Sequence, residues 1–327
     1  MRIAIVGPGS LGSVYAALLS RAGHDVTLMG RAERVAILRS RGVVLRGLEE
    51  LHVSVPATDD PASVGPVDLL LLCTKAIDTK TTLAALADMK VGAAASLQNG
   101  IVKESLLADV FGRDRVLGAA TMVGAERRPD GTVDFTARGT TYLGEFDGRI
   151  SDRLGTIVAA LDDAGLPAQA LTDIESVIWS KACLSAGAFA VSVFSRLSVT
   201  SILAQAELAG AMADLITEAA GIAAAAGHKV HDFPGMRVAS WARDPRHVVL
   251  EDMAQRAAEM TVASRVVRVS MLQDLLAGRP MEVDEVYGGL LAQAELTATP
   301  APTLALVYRL LKGIDSASRA AGIAARE

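Results

Sequence analysis

Six residues close to the N-terminus, Gly7-Pro8-Gly9-Ser10-Leu11-Gly12, have the spacing G-x-G-x-x-G. That spacing suits a dinucleotide pyrophosphate: one glycine makes the turn, the second lets phosphate reach the backbone, and the third lets helix and strand pack closely. Ser10 and Leu11 then open a helix whose unpaired N–H groups favour an anion. The same residues also suit a purely structural glycine turn. An NAD site usually ends its second strand with an acid that binds the ribose, but here Met29-Gly30-Arg31 stands there. A guanidinium at Arg31, assisted by Arg34, suits a 2′-phosphate, so NADP(H) is expected over NAD; alternatively both arginines solvate a helix start. Two further loops carry polar groups of the right kind, Thr74-Lys75 and Gln98-Asn99-Gly100. Lys75 can reach phosphate or ribose, and Asn99 offers a donor and an acceptor. An Asn-Gly turn with positive φ and a lysine at a helix entrance is the structural alternative.

These residues need elements to position them. Residues 2–6 are a β-branched run, and residues 10–22 place Leu11, Val14, Tyr15, Leu18 and Leu19 on one helical face. Residues 26–29 complete a βαβ unit of about 30 residues. Strands are predicted at 43–47, 52–55, 68–73, 93–97, 116–123, 131–135 and 141–143, with helices near 78–87 and 101–110. This is the alternation of an α/β, Rossmann-type doubly wound sheet, in which Lys75 and Asn99 follow strands at the ligand-binding edge. Beyond residue 150 strand signals nearly stop, and helical periodicity occupies 173–192, 203–226, 249–277, 284–295 and 302–314. The expected organisation is therefore a dinucleotide-binding domain over 1–170 and an all-helical domain over 171–327. Residues 228–247, with Pro234, Gly235 and Pro245, read as an irregular connection or short helices.

Composition excludes several classes. The formal net charge is −5 with basic residues scattered among acids, so the chain lacks the basic footprint of a nucleic-acid binder. Cys73 and Cys183 stand alone in apolar surroundings and read as reduced, buried thiols. His228 and His231 lack the companions of a metal site, and none is expected. The Asp59-Asp60 and Glu49-Glu50 pairs read as solvated loops. No secretion signal is read at the N-terminus, and stretches such as 203–226 read as too polar for a bilayer, so a cytoplasmic protein without a membrane partner is expected.

Taken together, the N-terminal glycine loop, Thr74-Lys75, Gln98-Asn99-Gly100, Trp179-Ser180-Lys181, Ser270-Met271-Leu272-Gln273-Asp274 and Glu282-Val283-Asp284 resemble the ketopantoate reductases in order and spacing over essentially the whole chain. The resemblance implies a Rossmann domain, a helical substrate domain, NADPH as hydride donor and reduction of a 2-oxo acid, nominally 2-dehydropantoate, to a 2-hydroxy acid. It also implies roles: Lys181 as catalytic lysine, Asn99 as the asparagine of the QNG turn, Ser270 as a substrate ligand, and Glu282 as the acid that meets cofactor ribose and lysine. An ammonium is a sound choice, because hydride arriving at the carbonyl carbon builds charge on oxygen that a positioned cation can polarise and protonate. By analogy with reductases of this build, a homodimer is expected.

One stripe departs from the family. Ser185 and Phe189 stand four and eight residues after Lys181, where the family has asparagines on the same helical face. Ser185 keeps a hydroxyl, whereas Phe189 replaces an amide with apolar surface. The substrate pocket is expected to change while the proton donor stays, which opens a second reading: a more apolar 2-oxo acid or another carbonyl compound. A third reading, of another class, is a redox sensor that binds NADP(H) without turnover.

Overall fold

The computed structural model describes residues 1–234, 236–262 and 267–324. The chain divides into two compact units: Met1–Gln98 with Val102–Glu175, and Asn99–Ile101 with Ser176–Glu327.

The first unit begins β1 (Arg2–Val6), α1 (Ser10–Arg21), β2 (Asp25–Met29) and α2 (Ala32–Arg41). It continues through β3 (Val43–Gly47), β4 (Leu51–Val53), β5 (Ala57–Thr58), β6 (Val67–Leu72), α3 (Thr79–Ala85), β7 (Val91–Ser96) and α4 (Lys103–Phe111). Then come β8 (Val116–Thr121), β9 (Gly124–Arg127), β10 (Val133–Ala137), β11 (Thr141–Gly144), α5 (Asp152–Asp163) and β12 (Ala168–Ala170). Eight strands form one sheet in the order β12-β11-β8-β7-β6-β1-β2-β5. Its centre is parallel, and β11 runs antiparallel to β8. From β1 the chain moves first to β2 on one side and later to β6 on the other. The carboxyl end of β1 is therefore the point where strand order reverses, the place where open α/β sheets bind ligands.

Both faces of this sheet are covered, which explains its uninterrupted apolar strands. Ile3 and Ile5 of β1, with Leu69 and Leu71 of β6, pack beside Val14, Tyr15, Leu18 and Leu19 of α1. Ala4 and Val6, with Leu70 and Leu72, pack on the opposite face beside Leu83 of α3 and Leu107 of α4. Tyr15 is fully buried, and its hydroxyl shares hydrogen bonds with Thr121 (2.9 Å) and Thr141 (2.5 Å), fastening α1 to β8 and β11.

Strands 43–47, 52–55 and 131–135, expected in the main sheet, instead make a separate four-stranded sheet, β4-β3-β10-β9. The reason lies in α1, whose residues Gly12 to Leu19 are all buried. A helix buried on all sides needs a second cover, and Val43, Leu45, Val133 and Phe135 of the small sheet join the same core.

The second unit is helical: α6 (Ile174–Ser195), α7 (Val199–Leu203), α8 (Ala206–Ala225), α9 (Val238–Arg243), α10 (Arg246–Val262) and α11 (Ser270–Leu276). A π-helical turn, Asp284–Gly288, leads into α12 (Gly289–Leu296), and α13 (Pro302–Ala324) follows. The helix expected over 249–277 is thus two helices; residues 263–266 of that span lie outside the described residues. Residues 228–247 hold α9 and a short Phe233–Met236 bridge, with Gly235 outside the described residues. The helix expected to end at 314 runs on to 324. By length and composition α6 and α8 could each cross a membrane, so polarity alone does not reject 203–226 as a span. In α6 most of the apolar stretch, 89%, is buried inside the fold, and in α8 half of it is.

Candidate active site

In the first unit the glycine loop has no room for side chains where it turns. Gly7 has φ +100°, and a Cβ there would lie 2.4 Å from the backbone nitrogen of Thr74; one at Gly12 would lie 2.2 Å from the Gly7 carbonyl oxygen. This close approach brings the Thr74-Lys75 loop, at the end of β6, beside the glycine loop. Around Gly9 there is open space within 4 Å of a notional Cβ. Gly9 is also the N-cap of α1, makes no side-chain cap, and is followed by no acid in the first turn. Unpaired N–H groups facing open space at a helix start, with Ser10 and Leu11 as its first residues, fit a pyrophosphate. Gly7→Ala should cost at least about 1–3 kcal/mol from backbone strain alone and abolish dinucleotide binding; a melting curve and a fluorescence titration with NADPH check this.

Around this loop the polar residues form a network. Gln98 donates from Nε2 to the Thr74 carbonyl (3.0 Å), Thr74 Oγ1 (3.1 Å) and Thr79 Oγ1 (2.8 Å), and its Oε1 accepts from Ser96 Oγ (3.0 Å). The ends of β6 and β7 are tied by one amide, and Lys75, half-buried, follows directly. Arg31, the N-cap residue of α2, is largely exposed and ion-paired to Asp78 at 2.9 Å. Arg34, half-buried, donates from Nε to the Pro8 carbonyl oxygen at 3.2 Å. Burial pushes the thiols of Cys73 and Cys183 up to about 12, so neither carries appreciable thiolate at neutral pH.

In the second unit α6 carries Lys181, half-buried, with Ser185 and Phe189 buried one and two turns on. Glu282, only 5% exposed, is separated from the π-helical turn by Val283 alone. Such turns are rare and recur at functional sites. This one is fixed from three sides. Tyr287 donates its hydroxyl proton to the Ala186 carbonyl of α6 (2.8 Å), next to Ser185. Asp284 accepts from Tyr308 Oη and Lys312 Nζ of α13, each at 2.7 Å, and Asp315 accepts the Met281 N–H at 2.9 Å. Although burial opposes it, these two donors hold Asp284 below the usual carboxylate range. Gly100, with φ +92°, closes on the third side: a Cβ there would lie 2.4 Å from the Glu285 carbonyl oxygen. Burial, reinforced by the charge of Glu282, pushes Glu285 up. The turn containing Asn99, the segment of Glu282 and the helix of Lys181 are thus brought together within one unit. Ser270 is the first residue of α11, and its buried Oγ has no hydrogen-bond partner among the described residues.

Some groups were not legible in the sequence. Lys103 and Glu104, which read as an ordinary helix start, are buried together at the head of α4. Lys103 Nζ pairs with Glu104 and donates to the carbonyls of Ser96 (3.1 Å) and Ala119 (2.7 Å). The π-helical turn has no sequence signal beyond an apolar helical pattern. His228 stacks on Trp179, ring centroids 5.0 Å apart, which accounts for both as packing.

Residues 3–148 match the family model described as ketopantoate reductase PanE/ApbA, and residues 173–315 match its C-terminal model. The 2-dehydropantoate 2-reductase of Archaeoglobus fulgidus is 31% identical over 318 residues, 96% of this chain and 98% of that protein. The crystal structure of 2-dehydropantoate 2-reductase from Geobacter metallireducens has a TM-score of 0.79 at 27% identity, covering 96% of this chain and 99% of that one. D-mandelate dehydrogenase, solved with NADH and anilino(oxo)acetate, shares the fold with a TM-score of 0.82 at 20% identity, covering 97% and 99%. Two family models spanning both units, and a relative matched along its whole length, lead to one conclusion: this chain belongs to the ketopantoate reductase family of oxidoreductases.

Proposed function

We propose that this chain is a cytoplasmic NADPH-dependent reductase that converts a 2-oxo acid to a 2-hydroxy acid, nominally 2-dehydropantoate to pantoate, with Lys181 as proton donor. NADPH, when bound, supplies the hydride. The observation that supports the reading is the π-helical turn just after Glu282, which meets the helix of Lys181 through Tyr287 and the turn of Asn99 through Gly100. Gly7, Gly9, Ser10, Leu11 and Gly12 would hold the pyrophosphate, Arg31 the 2′-phosphate, and Lys75 phosphate or ribose. Lys181 polarises the substrate carbonyl oxygen and gives it a proton. Asn99 and the Ser270 hydroxyl, unpartnered among the described residues, hydrogen-bond the substrate's carbonyl or carboxylate. Glu282 orients Lys181 and meets the cofactor ribose. In this scheme 1–170 serves the cofactor and 171–327 the substrate.

A second reading has its own observation. Ser185 and Phe189 are buried at 5% and 8% exposure on the Lys181 stripe, so apolar surface stands where an amide would recognise a hydroxyl. We infer a preference for 2-oxo acids with apolar side chains. The test is a panel of 2-dehydropantoate and apolar 2-oxo acids with NADPH and NADH side by side. Phe189→Asn is expected to shift kcat/KM toward 2-dehydropantoate by about 10- to 200-fold relative to an apolar acid. An unchanged ratio sinks the second reading, and no turnover on any 2-oxo acid sinks the first.

A further inference from the structure

We propose that Gln98 is a positioning residue for the cofactor: its buried carboxamide staples both ends of the arc 74–79 and so holds Lys75 beside the glycine loop. The inference rests on the reading above that Lys75 meets a phosphate or ribose of NADPH. It gives Gln98 an effect on cofactor binding that is exerted through Lys75.

The geometry lies wholly in the first unit. β6 and β7 are parallel neighbours whose last residues, Leu72 and Ser96, stand side by side. The Leu97 N–H extends that pairing by one bond, to the Leu72 carbonyl at 2.9 Å. Gln98 follows, and only 6% of it is exposed. Its Nε2 meets Thr74 at the carbonyl oxygen (3.0 Å) and at Oγ1 (3.1 Å), and Thr79 at Oγ1 (2.8 Å). Thr79 is the first residue of α3 and is 2% exposed. Between these two anchors lie Lys75 and a 3₁₀ turn, Ala76–Asp78. One side chain thus closes the arc at both ends. On its other side Thr74 is pressed against the glycine loop, its backbone nitrogen 2.4 Å from where a Cβ on Gly7 would be. Held from both sides, Thr74 gives the backbone of Lys75 a set place beside that turn.

The chemistry of the amide suits both of its ends. The Thr74 carbonyl accepts and cannot donate, so the nitrogen end of Gln98 must face the arc. The oxygen end then accepts from Ser96 Oγ at 3.0 Å. Ser96 Oγ also accepts the Gln98 N–H at 3.3 Å, and the Ser96 carbonyl takes a bond from Lys103 Nζ at 3.1 Å. A carboxylate at this position would set an acceptor against the Thr74 carbonyl. A thioether would strip the donor from Thr74 and Thr79 and leave buried polar groups unmatched. A buried network whose members are all satisfied is rigid and specifies one arrangement. Fixing the backbone beneath a long, flexible lysine lowers the ordering that binding must supply, which is how a residue remote from the ligand raises affinity.

The experiment is a fluorescence titration of the full chain with NADPH, for wild type, Gln98→Met, Thr79→Val, Lys75→Met and the two double variants that contain Lys75→Met. Gln98→Met and Lys75→Met are each expected to weaken binding about 10- to 100-fold. Their effects should not multiply: in the Lys75→Met background, Gln98→Met should change affinity by no more than about twofold. A general loss of structure would weaken both backgrounds alike, so this coupling is a readout that a merely structural role does not move. Thr79→Val removes one anchor and keeps the shape of the side chain, which preserves the test if Gln98→Met fails to fold. It should weaken binding about 3- to 10-fold, again only while Lys75 is present. Wild-type affinity in Gln98→Met and Thr79→Val, or losses that multiply in the double variants, overturn the positioning role and leave the NADPH reading standing. Lys75→Met binding as tightly as wild type removes Lys75 from the site and the proposal with it. Wild type that binds no NADPH removes the cofactor reading as a whole.

Discussion

Lys181→Ala should lower kcat by about 10²- to 10⁴-fold while NADPH binding stays within about twofold of wild type. The argument begins with the charge that hydride transfer creates. A carbonyl oxygen that becomes an alkoxide needs a positive donor at the moment of transfer, and general acid catalysis of that kind contributes a factor of this size. The glycine loop, Arg31, Arg34 and Lys75 belong to the first unit and Lys181 to the second, so the substitution changes none of the residues proposed to hold the nucleotide phosphates. Lys181 is half-buried, and its methylene stem contributes packing as well as charge. Lys181→Met keeps the stem and should lose as much turnover as alanine. Steady-state kinetics with a saturating 2-oxo acid, alongside NADPH titration of each variant, reads both quantities. A methionine variant retaining most of the activity would remove the proton-donor role.

The second large effect is on stability. Lys103→Met should destabilise the protein by about 3–5 kcal/mol, because it leaves the Glu104 carboxylate buried without its counter-charge and strips a donor from one carbonyl in each of β7 and β8. The melting temperature should fall on the order of 10 °C. Removing both charges is a different matter, since an apolar pair of similar volume avoids the desolvation of two ions. The double variant Lys103→Met with Glu104→Leu should therefore recover most of the loss. A single variant melting with wild type would show that the pair contributes little. Lys103 also bonds the Ser96 carbonyl, and Ser96 bonds Gln98, so the same lysine braces the network that ends at Thr74. Loosening it should raise KM for NADPH more than it lowers kcat.

The features of this chain differ in how readable they were. The glycine loop was legible because its demands are local: a tight turn and close helix packing are backbone requirements met within six residues, and Gly7 and Gly12 leave no room for a side chain while Gly9 faces open space. Strand positions in the parallel sheet were legible for a similar reason, since burial on both faces writes an uninterrupted apolar run such as residues 69–72. Sheet membership was not. Residues 43–47 and 131–135 have ordinary strand patterns, and only the complete burial of α1 explains why they form a separate cover.

By itself, then, the sequence determined the α/β-then-helical class and offered the glycine loop, Lys181, Ser185, Phe189, Ser270 and Glu282 as candidates, because residue type, spacing and helical period are written in one dimension. Tertiary structure alone decided which polar groups stand near which others. It buried Lys103 against Glu104, and it set a π-helical turn, braced by α6 and α13, just after Glu282. It also gave Arg31 an ion-pair partner in Asp78. Those pairings join residues far apart in the chain or hide neighbours that look solvated, and electrostatic energy depends on distance and burial in three dimensions.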